Sequence, residues 1–235
     1  MLLSDFFDHL SYGELSQLAI GTNDVGAIAE KDYPRVTTFV NGGMTLLHTM
    51  LRLKVDQVLL QTNALQSRYV LSKQFAVSQS EGVDAGINQY ILDEVMPFQD
   101  NVLAIETVVN SEGEPFSIND TNDPASVFTP NHREIQFYEP KDAVVAVTYQ
   151  ANHPKIKPYR GMNPDEIELN IPDYCIDILA NYCVTRMLGG GNSESRQLAQ
   201  MYQGLISTQI AQIEQQGLIQ PDIPSNQRIW KDKWV

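Results

Sequence analysis

Four histidines, two cysteines and a few close-set carboxylates are the side chains of this chain that could run chemistry. Their spacing argues against most of it. His9, His48, His132 and His153 stand in unrelated contexts, and His48 has no His or Glu four residues away on its helix, so a zinc-protease pattern is absent. Paired-cysteine zinc motifs are missing too. Cys175 and Cys183 fall eight apart on one expected helix, on one face but about 12 Å distant. That is too far for a disulfide, so they read as small core residues of a chain made and kept in a reducing cytosol. Gly189–Gly191 follows a helix rather than a strand and lacks the Lys-Ser/Thr of a phosphate loop, which makes it a helix stop. No Gly-x-Ser-x-Gly elbow occurs. Asp120, Asn122 and Asp123 lie close enough to suggest calcium, but their spacing and the missing Gly describe a turn. Glu106 and Glu134 could meet across strands as an acid–base pair, although half-exposed strands carry such residues routinely. Nothing in this set supports an enzyme, a cofactor or a metal.

The elements that position these residues fall into three blocks. A short helix over 4–10, capped by Ser4, is followed by a turn and a polar loop to Lys31. Pro34 then opens a helix to Leu51 with Val36, Phe39/Val40, Gly43, Leu47 and Met50/Leu51 on its buried stripe. Gly42-Gly43 inside that helix costs about 1 kcal/mol each relative to Ala, and the offset expected is close approach of another helix. From Val55 to Gln150 the pattern turns to strands. Val55–Gln61, Arg68–Ser78, Val102–Asn110, Glu134–Tyr138 and Ala143–Gln150 qualify, with a hairpin from Val102–Asn110 into Pro115–Asn119. Linker 151–165 returns the chain to a helical pair, Pro172–Leu188 and Ser193–Gln216, with Gly217 at the exit. In the second of these, Leu198, Tyr202, Ile206, Ile210, Ile213, Met201 and Leu205 are assigned to the buried side.

Strands clustered between helices, rather than alternating with them, predict an α+β protein. Helices from both ends (1–54 and 165–217) form a discontinuous bundle, 55–164 an inserted small antiparallel β-sandwich or barrel, and 218–235 an extended tail. The last helix turns Gln197, Gln200, Gln203, Gln209 and Gln212 outward with few charges. That face is either meant to touch something or is a tolerated neutral surface.

The formal net charge is −13. Such a surface repels phosphates, which argues against wrapping nucleic acid but not against DNA sliding past. No apolar run reaches the roughly 20 residues of a membrane span, and the start lacks the basic region of a signal peptide. The tail is the exception to the acidic balance. Both tryptophans and three basic residues fall within Arg228-Ile229-Trp230-Lys231-Asp232-Lys233-Trp234-Val235. Trp and Arg are enriched where proteins bind one another, so docking on another chain is expected. The competing reading has Trp230 and Trp234 filling a groove on the chain's own body.

Four segments together resemble the head-to-tail adaptor (connector, head-completion) proteins of tailed bacteriophages: Tyr12-Gly13-Glu14-Leu15 with Leu18–Gly21; the Pro34–Leu51 helix running into Val55–Gln61; Pro97-Phe98 and Val102–Glu106 with the Glu112–Pro115 turn; and Ile167–Asp173 leading into the helical pair. The likeness is dispersed and has no catalytic signature. It implies a helical bundle carrying an inserted sheet module, self-assembly into a ring (typically a dodecamer) under the portal protein, and a continuation of the channel for genome ejection. Double-stranded DNA would pass without sequence-specific binding, and a downstream tail or nozzle protein would sit below. Such a protein is made in the host cytoplasm and resides in the virion neck, away from any membrane. The C-terminal tail, Arg228, Ile229, Trp230, Lys231, Lys233, Trp234 and Val235, takes the portal-docking role by position and composition, and the glutamine face becomes the subunit contact. The alternatives are another neck or tail-tube component, or a ligand- or glycan-binding β module on a helical base, for which Tyr90, Phe98 and Phe128 are the scattered aromatic candidates.

Overall fold

A computed structural model describes residues 1–13, 15–16, 28–79, 88–94 and 96–218. The chain is α+β, with four α-helices and two antiparallel sheets among these residues. Among the described residues two compact units result: Met1–Leu53 with residues 153–218, and Lys54–Asn152.

The helical unit contains α1 (Leu3–Tyr12), α2 (Tyr33–Leu51), α3 (Ile176–Leu188) and α4 (Ser193–Gln215). Helix α1 begins one residue before Ser4, which therefore does not cap it. Instead the Asp5 carboxylate accepts from the Leu2 N–H at 3.1 Å, the N3 half of a capping box. The chain start is fixed by backbone pairing, with Leu3 N–H donating to Ile167 O at 2.8 Å and Leu169 N–H to Met1 O at 2.8 Å. Both ends of the unit thus share one core, which includes Leu3, Phe6, Leu10, Val40, Leu47 and Leu179.

Gly42-Gly43 does what its cost demands. A Cβ at Gly43 would overlap Leu179 Cδ1 and stand 3.0 Å from Tyr182 Cδ1, and one at Gly42 would lie 2.8 Å from the Tyr182 hydroxyl. Helices α2 and α3 therefore touch at the glycines, as the sequence leads one to expect. Asn41 beside them reaches the incoming linker, donating to Ile156 O at 2.8 Å and accepting from Ile156 N–H at 3.0 Å. A tight 3-10 turn, Asp173–Cys175, precedes α3, so Pro172 lies just before that turn rather than in the helix. Asn192 caps α4 by accepting from Ser195 N–H at 2.9 Å. At the far end Gly217 takes φ +65°, the left-handed exit that glycine adopts freely.

The β module contains β1 (Val55–Thr62), β2 (Arg68–Val70), β3 (Ile91–Leu92), β4 (Val102–Val109), β5 (Val127–Asn131), β6 (Glu134–Phe137) and β7 (Ala143–Ala151). One sheet runs β3-β1-β7-β4 and the other β2-β6-β5. Along β7 every second residue from Val145 to Ala151 is buried, the period a half-covered strand requires. Residues of both sheets meet in one core around Tyr69, Val147, Ile135 and Phe137.

Three expectations change here. The strand expected over Arg68–Ser78 ends at Val70, because 3-10 turns at Lys73–Phe75 and Val77–Gln79 lift the chain out of the ladder. Asp93 holds the second turn, accepting from Ser78 N–H at 2.8 Å, Ser78 Oγ at 2.5 Å and Phe98 N–H at 2.8 Å. The hairpin from β4 into Pro115–Asn119 shrinks to a single bridge, Val109 with Pro115, and Ile118 instead bridges Val127 of β5. Strand β5 was not foreseen, since Pro130 and the flanking turn residues hide it.

Candidate functional site

The residues that could run chemistry are used for structure. Cys175 and Cys183 are buried thiols. Burial pushes Cys175 up to about 11 and Cys183 higher still, which leaves neither as an available thiolate. His153 is buried, with Nε2 3.1 Å from Asn41 O and Nδ1 3.0 Å from Pro154 O. Burial lowers its pKa more than these carbonyls raise it. His9 Nε2 lies 3.4 Å from Asp177 Oδ1, joining α1 to α3. Glu106 and Glu134 stand on strands of different sheets, and Glu134 takes Arg68 Nε at 2.6 Å and Asn131 Nδ2 at 2.7 Å. The Asp120–Asp123 stretch is a turn, with Asn122 N–H on Asp120 Oδ1 and Ala125 N–H on Asp123 Oδ1, both at 2.9 Å. Among the described residues no group of three or more His, Cys, Asp or Glu could hold a metal ion. Nor, among those residues, is any helix long and apolar enough to cross a membrane.

What remains is surface, and α4 is its most distinctive part. No charged residue occurs from Gln197 through Ile213. Ala199, Ile206, Ile210 and Ile213 are buried. Leu198, Met201 and Leu205, which the helical period alone assigns to the same buried side, are instead 45%, 52% and 43% exposed. At about 100° per residue these three form a second apolar stripe, displaced around the helix from the isoleucines. The error has a physical reason: the spacing shows two adjoining stripes, and only the width of α3 decides how much of them is covered. Gln197, Gln200, Gln203 and Gln212 are exposed; at about 100° per residue Gln197 and Gln212 border this stripe, and Gln200 and Gln203 lie farther round the helix. Gln209 is half-buried and differs from them, because its side-chain oxygen accepts from the buried Asn181 Nδ2 at 2.9 Å. It belongs to the α3–α4 contact.

The β module has a cavity of about 430 Å³ at the end where β1 and β6 finish and β7 begins. Phe116, Phe137 and Val145 line its inner part, and Ala125, Tyr138 and Glu139 are among the residues of its mouth. The Phe116 and Phe137 rings meet nearly edge-to-face, 5.9 Å apart at 81°. Tyr138 is 70% exposed. Contributions from several separated segments make such a cavity invisible in sequence. Of the aromatics considered for a glycan site, Tyr90 and Phe98 are core residues instead. The Tyr90 hydroxyl donates to Val70 O at 3.0 Å and accepts from Val70 N–H at 2.8 Å, and burial raises its pKa to about 12. The docking residues Arg228, Ile229, Trp230, Lys231, Lys233, Trp234 and Val235 lie outside the described residues.

No protein-family model and no curated protein matches the chain.

Proposed function

We propose that this chain is a structural subunit of the head–tail junction of a tailed bacteriophage, assembling into a ring between portal and tail and continuing the DNA exit path. The observation that carries the reading is the architecture: helices from both ends of the chain share one core, and an antiparallel module is inserted between them. That is the arrangement the resemblance implies. The exposed flank of α4 supports the ring. Copies of a chain with net charge −13 repel one another except where a surface is uncharged, and Leu198, Met201 and Leu205 offer an apolar strip there. The acidic balance suits a channel past which DNA slides without sequence-specific contacts. The tail supplies the portal contact, with Trp230 and Trp234 as anchors and the basic residues beside them.

Removing Gln227–Val235 tests the portal contact. The truncated chain should keep its circular dichroism and lose its association with portal particles. Undiminished association would overturn the tail's role.

A further inference from the structure

We propose that the cavity at the end of the β module is a docking site for this chain's own C-terminal segment, Arg228–Trp234, with an indole of Trp230 or Trp234 as the inserted group. The proposal concerns the free chain and does not rest on the portal reading.

Size and chemistry fit. About 430 Å³ lies in the range of pockets that take a ring-sized group. Phe116 and Phe137 already meet edge-to-face, and an indole entering over Phe116 and Val145 would extend that aromatic contact while its N–H stays near the polar mouth.

Charge points the same way. Residues 54–152 hold 14 acidic and five basic side chains, a net −9. Residues 219–235 hold two acidic and three basic side chains, a net +1, on a protein of −13. At the mouth Glu139 is exposed, placed to meet a tail cation, although Lys141 beside it opposes one. The chain runs 17 residues beyond Leu218, a contour of at most about 60 Å. The occupant is also the part of the molecule with most to gain, because both tryptophans lie there and an indole left in water forfeits its burial.

If the same tryptophans also anchor the tail on a partner, the cavity becomes a resting site that the partner must outcompete. Binding elsewhere then empties it.

The protein's two tryptophans both lie in this segment, so intrinsic tryptophan emission of the full-length chain reports the tail alone. The expected result is blue-shifted emission with quenching by iodide and acrylamide several-fold weaker than for a synthetic Gln227–Val235 peptide. Ala125→Arg should restore peptide-like emission and quenching with circular dichroism unchanged, because Ala125 is exposed at the mouth and only its backbone N–H is engaged. The Trp230→Phe and Trp234→Phe variants should separate one protected indole from one exposed. Protection that survives dilution supports the proposal, and protection lost on dilution assigns the tail of a second copy and overturns it. Peptide-like emission in the unmodified full-length chain overturns it, as does protection that Ala125→Arg leaves intact. A small molecule that co-purifies in the cavity while both indoles are exposed would assign the site to that ligand and overturn it as well.

Discussion

At Gly43 of the helical unit an added methyl group would overlap Leu179 Cδ1, whereas the β module keeps about 430 Å³ open at one end, lined by aromatic rings. Both units have a continuous buried core, so the difference is not one of quality. In the first, two glycines of α2 let the Leu179 and Tyr182 side chains of α3 seat against the helix, and the open space the unit does have, about 800 Å³, is lined by Glu30, Lys31, Arg160 and Asp165 among others and not by that contact. In the second, Phe116, Phe137 and Tyr138 are among the residues that line the space. The glycine contact fixes two helices against each other, while the open end of the β module offers an aromatic lining.

The largest effect expected is in the β module's centre. Tyr69 is fully buried, packs edge-on against Tyr90 (5.0 Å, 87°) and Phe137 (5.8 Å, 84°), and accepts from Asn63 N–H at 2.7 Å. Tyr69→Ala should cost about 3–5 kcal/mol. Calorimetry should then show the module unfolding first, with the helical transition unmoved; a single shifted transition would mean that the two units unfold together.

Next comes the glycine contact. Gly43→Ala should lose about 1–2 kcal/mol in denaturant titration, overpacking outweighing the gain of about 1 kcal/mol in helix propensity. Leu179, whose Cδ1 the added methyl group would displace, is fully buried. Gly42→Ala should be close to neutral, since the half-buried Tyr182 hydroxyl it meets can swing aside. Equal losses at the two positions would contradict the assigned contact.

Asp93 tests the module's turns. Burial by itself would raise its carboxyl, but hydrogen bonds from Phe98 N–H and from Ser78 outweigh that and hold it below the usual range. A folded pKa below the unfolded value of about 3.9 stabilises the fold above that value, and the contribution is lost as pH falls through the folded pKa. Asp93→Asn should cost about 1–3 kcal/mol at neutral pH and flatten the acid limb of the module's stability curve. An unchanged acid limb would remove Asp93 from its explanation.

The smallest effect belongs to the surface. Leu205→Glu should leave subunit stability within about 0.5 kcal/mol while weakening self-association in sedimentation. Gln200→Glu, away from the apolar stripe, should weaken it less.

Legibility in the sequence followed how local each determinant is. Helix α2, its Pro34 start and its glycine contact were readable because the spacing and the cost of Gly42-Gly43 reside in consecutive residues. Strands β6 and β7 are readable from alternation and β4 from its apolar run, while β1 is a strand candidate by its residue types. The turns at Lys73–Gln79 were not, because the Asp93 carboxylate that holds the second lies fifteen residues away from Ser78. Strand β5 was hidden by Pro130. On α4 the period locates apolar residues but not the edge of their burial: Leu198, Met201 and Leu205 fall on its buried side yet are exposed, and Gln209 falls on its outer side yet is half-buried. The cavity could not be read at all, being assembled from ends of several strands.

The proposed ring is tested most directly by negative-stain imaging of the purified chain mixed with its portal particles. The account predicts a closed ring of subunits on the portal, present with the intact chain and lost with Leu205→Glu. Portal particles left bare by a folded, intact chain, or rings that form equally well with Leu205→Glu, would contradict it.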